Sequence, residues 1–143
     1  MTAKEYLEQY GKLKERIRRL DIEIMTLEAE RDSISVDYSG MPHGSKIANK
    51  TADLATKLSD KRDKKIKLRD KAVEKRDEIF KVIDRVDNPL HSRLLYDRYI
   101  LFMTWEKIAE DCDKSDKWCR TGLHSRALRS VQIILDSSLK FRS

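Results

Sequence analysis

Hydrophobic residues recur with a heptad spacing through the first 35 residues, against a background of charged side chains. They occupy two interleaved positions of the repeat: Tyr6, Leu13, Leu20, Leu27 and Ile34 on one, and Tyr10, Ile17 and Ile24 on the other. Because no proline interrupts residues 3–35, this spacing predicts one long helix with a single apolar stripe. Such a stripe needs a partner helix to cover it.

A second periodic segment follows a stretch rich in turn-forming residues. The stretch covers residues 36–45 and contains Ser39, Gly40, Met41, Pro42 and Gly44. Proline and glycine end helices, so the first helix is predicted to stop here. The second segment runs from about residue 46 to residue 86 with the seam Ile47, Leu54, Leu58, Leu68, Ala72, Ile79, Val82 and Val86. Lys61 and Lys65 stand at seam positions where apolar residues are expected.

The simplest arrangement of these two segments is an antiparallel helical hairpin over residues 1–87. An intermolecular coiled coil is the alternative, because a hairpin with so narrow a core is marginal on its own. A homo-oligomer formed through the hairpin is compatible with either arrangement. The seam itself is structural and carries no chemistry.

The pair Asn88-Pro89 marks the start of a second predicted domain, residues 88–143. Asparagine is a favourable N-cap, and proline fits the first position of a helix. A third helix is therefore expected from Pro89 to about Leu101, with a short break at residues 102–104.

The next two helices are predicted to form a helix-turn-helix. Thr104 can cap the first of them, whose inner face is Trp105, Ile108, Ala109 and Cys112. A turn at residues 113–115 follows, with Ser115 or Asp116 as the cap of the second helix. That helix is expected to bury Cys119, Leu123, Ala127 and Val131. The expected fold class is thus all-α, a long antiparallel hairpin followed by a C-terminal helix-turn-helix bundle.

The charge changes sign where the second helix of this unit begins. The whole chain carries a formal charge of +6. Residues 104–113 hold one basic and four acidic side chains, a net of −3, whereas residues 114–143 hold seven basic and two acidic ones, a net of +5. This distribution favours double-stranded DNA as the partner of the second helix.

The candidate DNA-binding residues fall into two groups. Those expected on the outer face of the second helix, within reach of base edges, are Lys117, Arg120, Thr121 and His124. Those better placed to meet backbone phosphates are Lys114, Arg126 and Arg129. Each residue taken singly could equally be a solvated surface side chain. The hypothesis therefore rests on the group and on its position beside an acidic helix.

Two further residues of the second helix have open interpretations. Trp118 either packs on the third helix or braces the DNA backbone, whereas Trp105 is expected in the core. Gly122 is unfavourable inside a helix by up to about 1 kcal/mol relative to alanine. Its presence indicates close approach either to the preceding helix or to DNA.

Other classes of function find little support in the sequence. No phosphate-binding loop, metal-ligand cluster or nucleophile arrangement is present, so the chain is not expected to be an enzyme or to need a cofactor or metal. Cys112 and Cys119 are expected to be buried, reduced thiols. Without an apolar signal or spanning segment, no membrane partner is expected, and the expected location is the cytoplasm.

Residues 94–128 resemble region four of bacterial sigma factors and, more closely, sigma-like phage regulators of the ArpU and RinA type. The motifs that carry this resemblance are residues 94–99 (LLYDRY), residues 104–109 (TWEKIA), Ser115 and residues 124–128 (HSRAL). Residues 2–7 and 39–42 are similar to an uncharacterised family of small Gram-positive phage and prophage proteins with the same layout. The resemblance implies a phage transcription regulator in a bacterial host cell, and it leaves room for contact with RNA polymerase.

One spacing departs from the sigma-like pattern. The turn serine usually precedes the histidine by eight residues, whereas Ser115 precedes His124 by nine. Either the turn is one residue longer or Asp116 takes the capping role. The choice affects which of residues 116–121 point into the groove.

Two other functions compete with DNA-dependent regulation. The first is a protein-interaction factor, an inhibitor or adaptor acting through the hairpin, which the polar interruption at Lys61 and Lys65 suggests. The second is a small-terminase-like packaging protein, because such proteins also join these modules to helical oligomerisation segments.

Overall fold

A computed structural model describes residues 1–37 and 45–142. Its helices are α1 (Ala3–Asp37), α2 (Ser45–Asp84), α3 (Pro89–Tyr99), α4 (Trp105–Cys112) and α5 (His124–Arg142), with a π-helical segment, Trp118–Leu123, leading directly into α5. No residue of the described ranges lies in a β-strand, which confirms the all-α prediction. None of the described helices is long and apolar enough to cross a membrane. The predicted loop at residues 36–45 lies largely outside the described residues.

The chain divides into two compact units, and the first described here is Leu13–Lys71. Within it, ion pairs join α1 and α2 in antiparallel order, Glu23 to Lys61 and Asp21 to Lys65, and both helices bury apolar side chains. The most deeply buried seam side chains are Leu13, Leu20, Leu54, Leu58 and Leu68. Leu27 and Ile34 are only half-buried, so the seam thins toward the end of α1.

The two lysines that interrupt the seam pair with carboxylates of the facing helix. Lys61 donates to Glu23 over 2.7 Å, and Lys65 pairs with Asp21. The hydrogen bond and charge of Lys61 lower the pKa of Glu23. Both lysine side chains are partly buried, and their ammonium groups reach carboxylates of the other helix. The polar interruption is therefore satisfied within the unit.

The second unit contains Met1–Lys12 and Ala72–Ser143. The first turns of α1 pack here: Leu7 is fully buried, and the backbone N–H of Ala3 donates to Oε1 of Gln132 over 2.8 Å. Tyr6 donates its hydroxyl hydrogen to Glu78 over 3.2 Å. The core of this unit is thus built from both ends of the chain.

The start of α3 agrees with the sequence. Oδ1 of Asn88 accepts from the backbone N–H groups of Leu90 and His91, and Pro89 is the first helical residue. The helix ends two residues earlier than expected, at Tyr99. The predicted division into domains at residue 88 stays a prediction.

One seam residue of α2 was misplaced. Ile83 is 3% exposed, whereas Val82, the expected seam residue, is only half-buried. A straight α-helix drifts relative to a strict seven-residue repeat, so the buried stripe moves to the neighbouring position over a long helix.

Candidate nucleic-acid interface

Helix α4 begins at a capped N-terminus. The Thr104 hydroxyl accepts from the backbone N–H of Lys107 over 3.2 Å, and Glu106 lies in the first turn. Ile108 and Ala109 are buried, as expected for the inner face. The alanine side chain is small enough for a second helix to pass close by, and the π-helical segment packs against α4.

The turn after α4 is tight and uses a left-handed residue. Asp113 has φ 53° and ψ 43°, and its N–H donates to the carbonyls of Ala109 and Glu110. The N–H of Lys114 also donates to the Ala109 carbonyl, over 3.1 Å. These bonds satisfy the last carbonyls of α4 and reverse the chain within three residues.

The second helix of the unit is capped by Ser115. Its hydroxyl accepts from the backbone N–H of Trp118 over 3.0 Å. One carboxylate oxygen of Asp116 is instead buried without a hydrogen-bond partner among the described residues. Of the two caps considered from the sequence, the serine is therefore the one used.

The extra residue between Ser115 and His124 is absorbed by the π-helical segment. Over Trp118–Leu123 the backbone winds more widely than an α-helix, and the N–H of His124 donates to the carbonyl of Cys119, five residues back. A π turn accommodates one residue more than an α turn. The nine-residue spacing thus requires neither a longer turn nor a different cap.

The inner face of the second helix is the one expected from the sequence. Its four predicted side chains are all buried: Cys119, Leu123, Ala127 and Val131. Both cysteine thiols are free, although Cys112 is only half-buried. Burial raises the pKa of the Cys119 thiol. This stripe holds the π-helical segment and α5 against the rest of their unit.

Five basic side chains of this region are exposed, and we call them the cation group: Lys114, Lys117, Arg120, Arg126 and Arg129. None of them has a carboxylate within ion-pair distance among the described residues. Thr121 is also exposed, and its hydroxyl donates to the Lys117 carbonyl over 2.5 Å. The hydroxyl hydrogen of Thr121 is therefore occupied within the helix.

His124 does not lie on the outer face, and that part of the prediction is wrong. The side chain is half-buried, with Nε2 2.7 Å from the hydroxyl oxygen of Tyr99. The ring of Trp105 meets the imidazole edge-on at 4.7 Å between centroids. Burial lowers the pKa of His124, and the positive charges of Lys4 and Arg98 add to this effect. His124 therefore connects α3, α4 and α5 through its contacts with Tyr99 and Trp105.

The sequence did not reveal the partner of Trp105. Its ring lies under the guanidinium of Arg98, 4.7 Å from the ring centroid. The same guanidinium donates to the backbone carbonyl of Met103 over 2.9 Å. Arg98 thus holds the segment before α4 and one face of Trp105. In the sequence, the only sign of the contact between Arg98 and Trp105 is that this tryptophan follows a helix that contains an arginine.

Trp118 and Gly122 lie one helical turn apart at the flank of the cation group. The ammonium of Lys114 stands 5.6 Å from the centroid of the Trp118 ring. A Cβ atom placed on Gly122 would meet only Cδ1 and Nε1 of Trp118, at 3.8 and 3.9 Å. No atom of α4 comes that close. The interpretation of Gly122 as a close-approach point for the preceding helix is therefore wrong.

Comparison of the chain with protein-family models, curated proteins and solved structures finds no match.

Proposed function

We propose that this chain is a DNA-binding transcription regulator of a phage or prophage, acting through a sigma-like helix-turn-helix. The observation that carries the proposal is the cation group. Its five side chains are solvent-exposed and lack carboxylate partners in the described part of the chain. Phosphates of duplex DNA are the acceptors that such a group fits best.

The packing of the two helices supports this assignment. Cys119 and Leu123 anchor the second helix from its inner side, which leaves Lys117 and Arg120 free on the exposed surface. A helix held in this way can enter the major groove without disturbing its own core. An arginine there can donate to both acceptors of a guanine edge, so Arg120 is the best candidate for sequence readout.

Two acidic residues of α4 pair within their own helix and do not neutralise the cation group. The carboxylates of Glu110 and Asp111 lie 3.9 and 3.5 Å from the ammonium of Lys107, on their own helix. Repulsion between these carboxylates and DNA phosphates would help orient the second helix toward the groove. The role in transcription rests on the resemblance of residues 94–128 to sigma-like regulators, which also leaves contact with RNA polymerase open to testing.

The competing function as a protein-interaction factor loses the feature that suggested it. Lys61 and Lys65 pair with Glu23 and Asp21 inside their own unit, so they offer no unsatisfied charge to a partner protein. Light scattering addresses the packaging alternative, since a ring-sized assembly would favour a terminase-like role.

The test of DNA binding is fluorescence anisotropy with a labelled duplex of about 30 base pairs at low salt, first a random pool and then fragments of phage promoters. The double variant Lys117→Ala/Arg120→Ala is expected to bind at least tenfold more weakly than the wild type, because two groove-facing cations are lost. Lys67→Ala/Arg69→Ala is the matched control, since it removes the same charge from exposed positions of α2.

Two outcomes would overturn the proposal. One is the absence of wild-type binding at the lowest salt concentration. The other is an equal loss in both double variants, because the effect would then follow net charge rather than the position of the cation group.

A further inference from the structure

The indole N–H of Trp118 is an unused hydrogen-bond donor. It donates to no atom of the described residues, and it is not among the buried polar atoms that lack a partner, so it is open to solvent. The ring itself is half-buried. Tryptophan is enriched at binding interfaces because its ring packs while its N–H group stays available to a partner. An external acceptor would complete the arrangement.

A positive charge stands over the same ring. The Lys114 ammonium lies 5.6 Å from the ring centroid and has no carboxylate partner in the described part of the chain. Lysine and tryptophan side chains both donate hydrogen bonds and accept none. The two side chains together therefore select a ligand atom that accepts hydrogen bonds and carries negative charge.

Gly122 leaves the space beside the indole N–H open. Its φ is not positive, so the backbone at this position does not require glycine. A Cβ at this position would stand 3.8 Å from Cδ1 and 3.9 Å from Nε1 of Trp118, and it would meet no other residue within 4 Å outside its own helix backbone and chain neighbours. Glycine is unfavourable in a helix, yet the packing of the protein offers no reason for it here. The space beside the indole N–H is thus available to a group from outside the chain.

We propose that Lys114, Trp118 and Gly122 form a seat for one phosphate of the bound DNA. The indole N–H donates to a phosphate oxygen, the lysine ammonium supplies the charge, and the glycine lets the sugar-phosphate backbone come close. This inference rests on the proposed DNA-binding function and adds a specific contact to it. The seat lies at the start of the second helix, so it would set how far that helix enters the groove.

The test uses three variants of the full chain and the same labelled duplex. Gly122→Ala is expected to raise the thermal midpoint by about 3 °C, since alanine favours the helix. It is also expected to weaken DNA binding by on the order of tenfold, because the added methyl group covers the donor. Opposite changes in stability and affinity would not follow from a merely structural glycine.

The other two variants separate the hydrogen bond from the charge. Trp118→Phe keeps an aromatic ring under Lys114 but removes the N–H group, so affinity should fall on the order of tenfold with an unchanged salt dependence. Lys114→Gln should instead reduce the slope of log K against log salt by about 0.9.

Failure of this inference is distinguishable from failure of the proposed function. If the wild type binds DNA but Gly122→Ala or Trp118→Phe binds equally well, the seat is wrong and the DNA-binding function stands. If the wild type does not bind DNA at all, both are wrong. If Gly122→Ala and Trp118→Phe impair binding to poly-glutamate as strongly as binding to DNA, the seat belongs to acidic proteins and the phosphate assignment is overturned.

Discussion

The left-handed residue in the turn between α4 and the second helix can be tested by two substitutions. Asp113 has φ 53°, a conformation that costs most L-residues about 1–2 kcal/mol. Glycine avoids this cost but loses about 0.5–1 kcal/mol through the extra freedom of its unfolded chain. Asp113→Gly is therefore expected to be about 0.5–1 kcal/mol more stable than Asp113→Ala, with the aspartate of the wild type between them.

A matched pair at Glu110 provides the reference. This residue is exposed and lies inside α4, where alanine should exceed glycine in stability by about 1 kcal/mol. Alanine should thus be the more stable variant at position 110 and glycine the more stable variant at position 113. The alanine-minus-glycine difference in the free energy of unfolding should change by about 1.5–2 kcal/mol between the two positions. An effect of this size is well above the error of an equilibrium unfolding measurement.

The assay is urea unfolding followed by tryptophan fluorescence. Both tryptophans, Trp105 and Trp118, belong to the unit that contains the turn, so the signal reports that unit. If Asp113→Ala were as stable as Asp113→Gly, the turn would not hold a left-handed residue in solution. The tight connection between the two helices, and with it the proposed helix-turn-helix, would then be refuted.

Three further predictions concern residues around the same unit. Ser115→Ala should lower the free energy of unfolding by about 1 kcal/mol, because the N-cap bond is lost, and an unchanged urea midpoint would contradict the cap assignment. Lowering the pH from about 7.5 to about 5.5 should destabilise the unit, because burial lowers the folded-state pKa of His124 and the unfolded chain takes up the proton first. The stability that His124 contributes above its unfolded-state pKa is therefore lost as the pH falls. In urea titrations, His124→Gln should weaken this pH dependence. Gly11→Ala should not stabilise the wild type, because the added Cβ would meet Cε1 of Phe102 at 3.1 Å. In a Phe102→Ala background the same substitution should stabilise the protein by up to about 1 kcal/mol. Equal effects in both backgrounds of this double-mutant cycle would exclude the contact.

Local signals in the sequence predicted much of the fold. The N-caps at Asn88 and Thr104 bond backbone groups only two or three residues away, so they can be predicted from the local sequence alone. The buried stripe from Cys119 to Val131 follows from four-residue spacing alone. These features were correct because they depend on neighbours along the chain.

The position of His124 could not be predicted by the same reasoning. A helical projection assumes a constant turn of about 100° per residue, whereas the π-helical segment winds more slowly just before this residue. The deciding contact is also distant in sequence, since Tyr99 lies 25 residues away. The error in the candidate interface therefore comes from one irregular turn and one long-range hydrogen bond.

Burial at the start of the chain was missed for a related reason. Leu7 is fully buried although it does not belong to the heptad seam. The first turns of α1 share a unit with residues 72–143, so they are covered on more than one side. The pairing of Lys61 and Lys65 was equally hidden, because it depends on how α1 and α2 align.

The π-helical segment also determines where this helix can change length. It holds one residue more than an α-helix needs between the Ser115 cap and the buried stripe. Deleting a single residue there would let the backbone close into an ordinary α turn with both anchors kept. The same deletion after Ala127 would rotate every later side chain by about 100° and turn Val131 outward. A single-residue deletion between Ser115 and Leu123 should therefore change the direction of the exposed lysine and arginine side chains in that segment and leave the hydrophobic core intact.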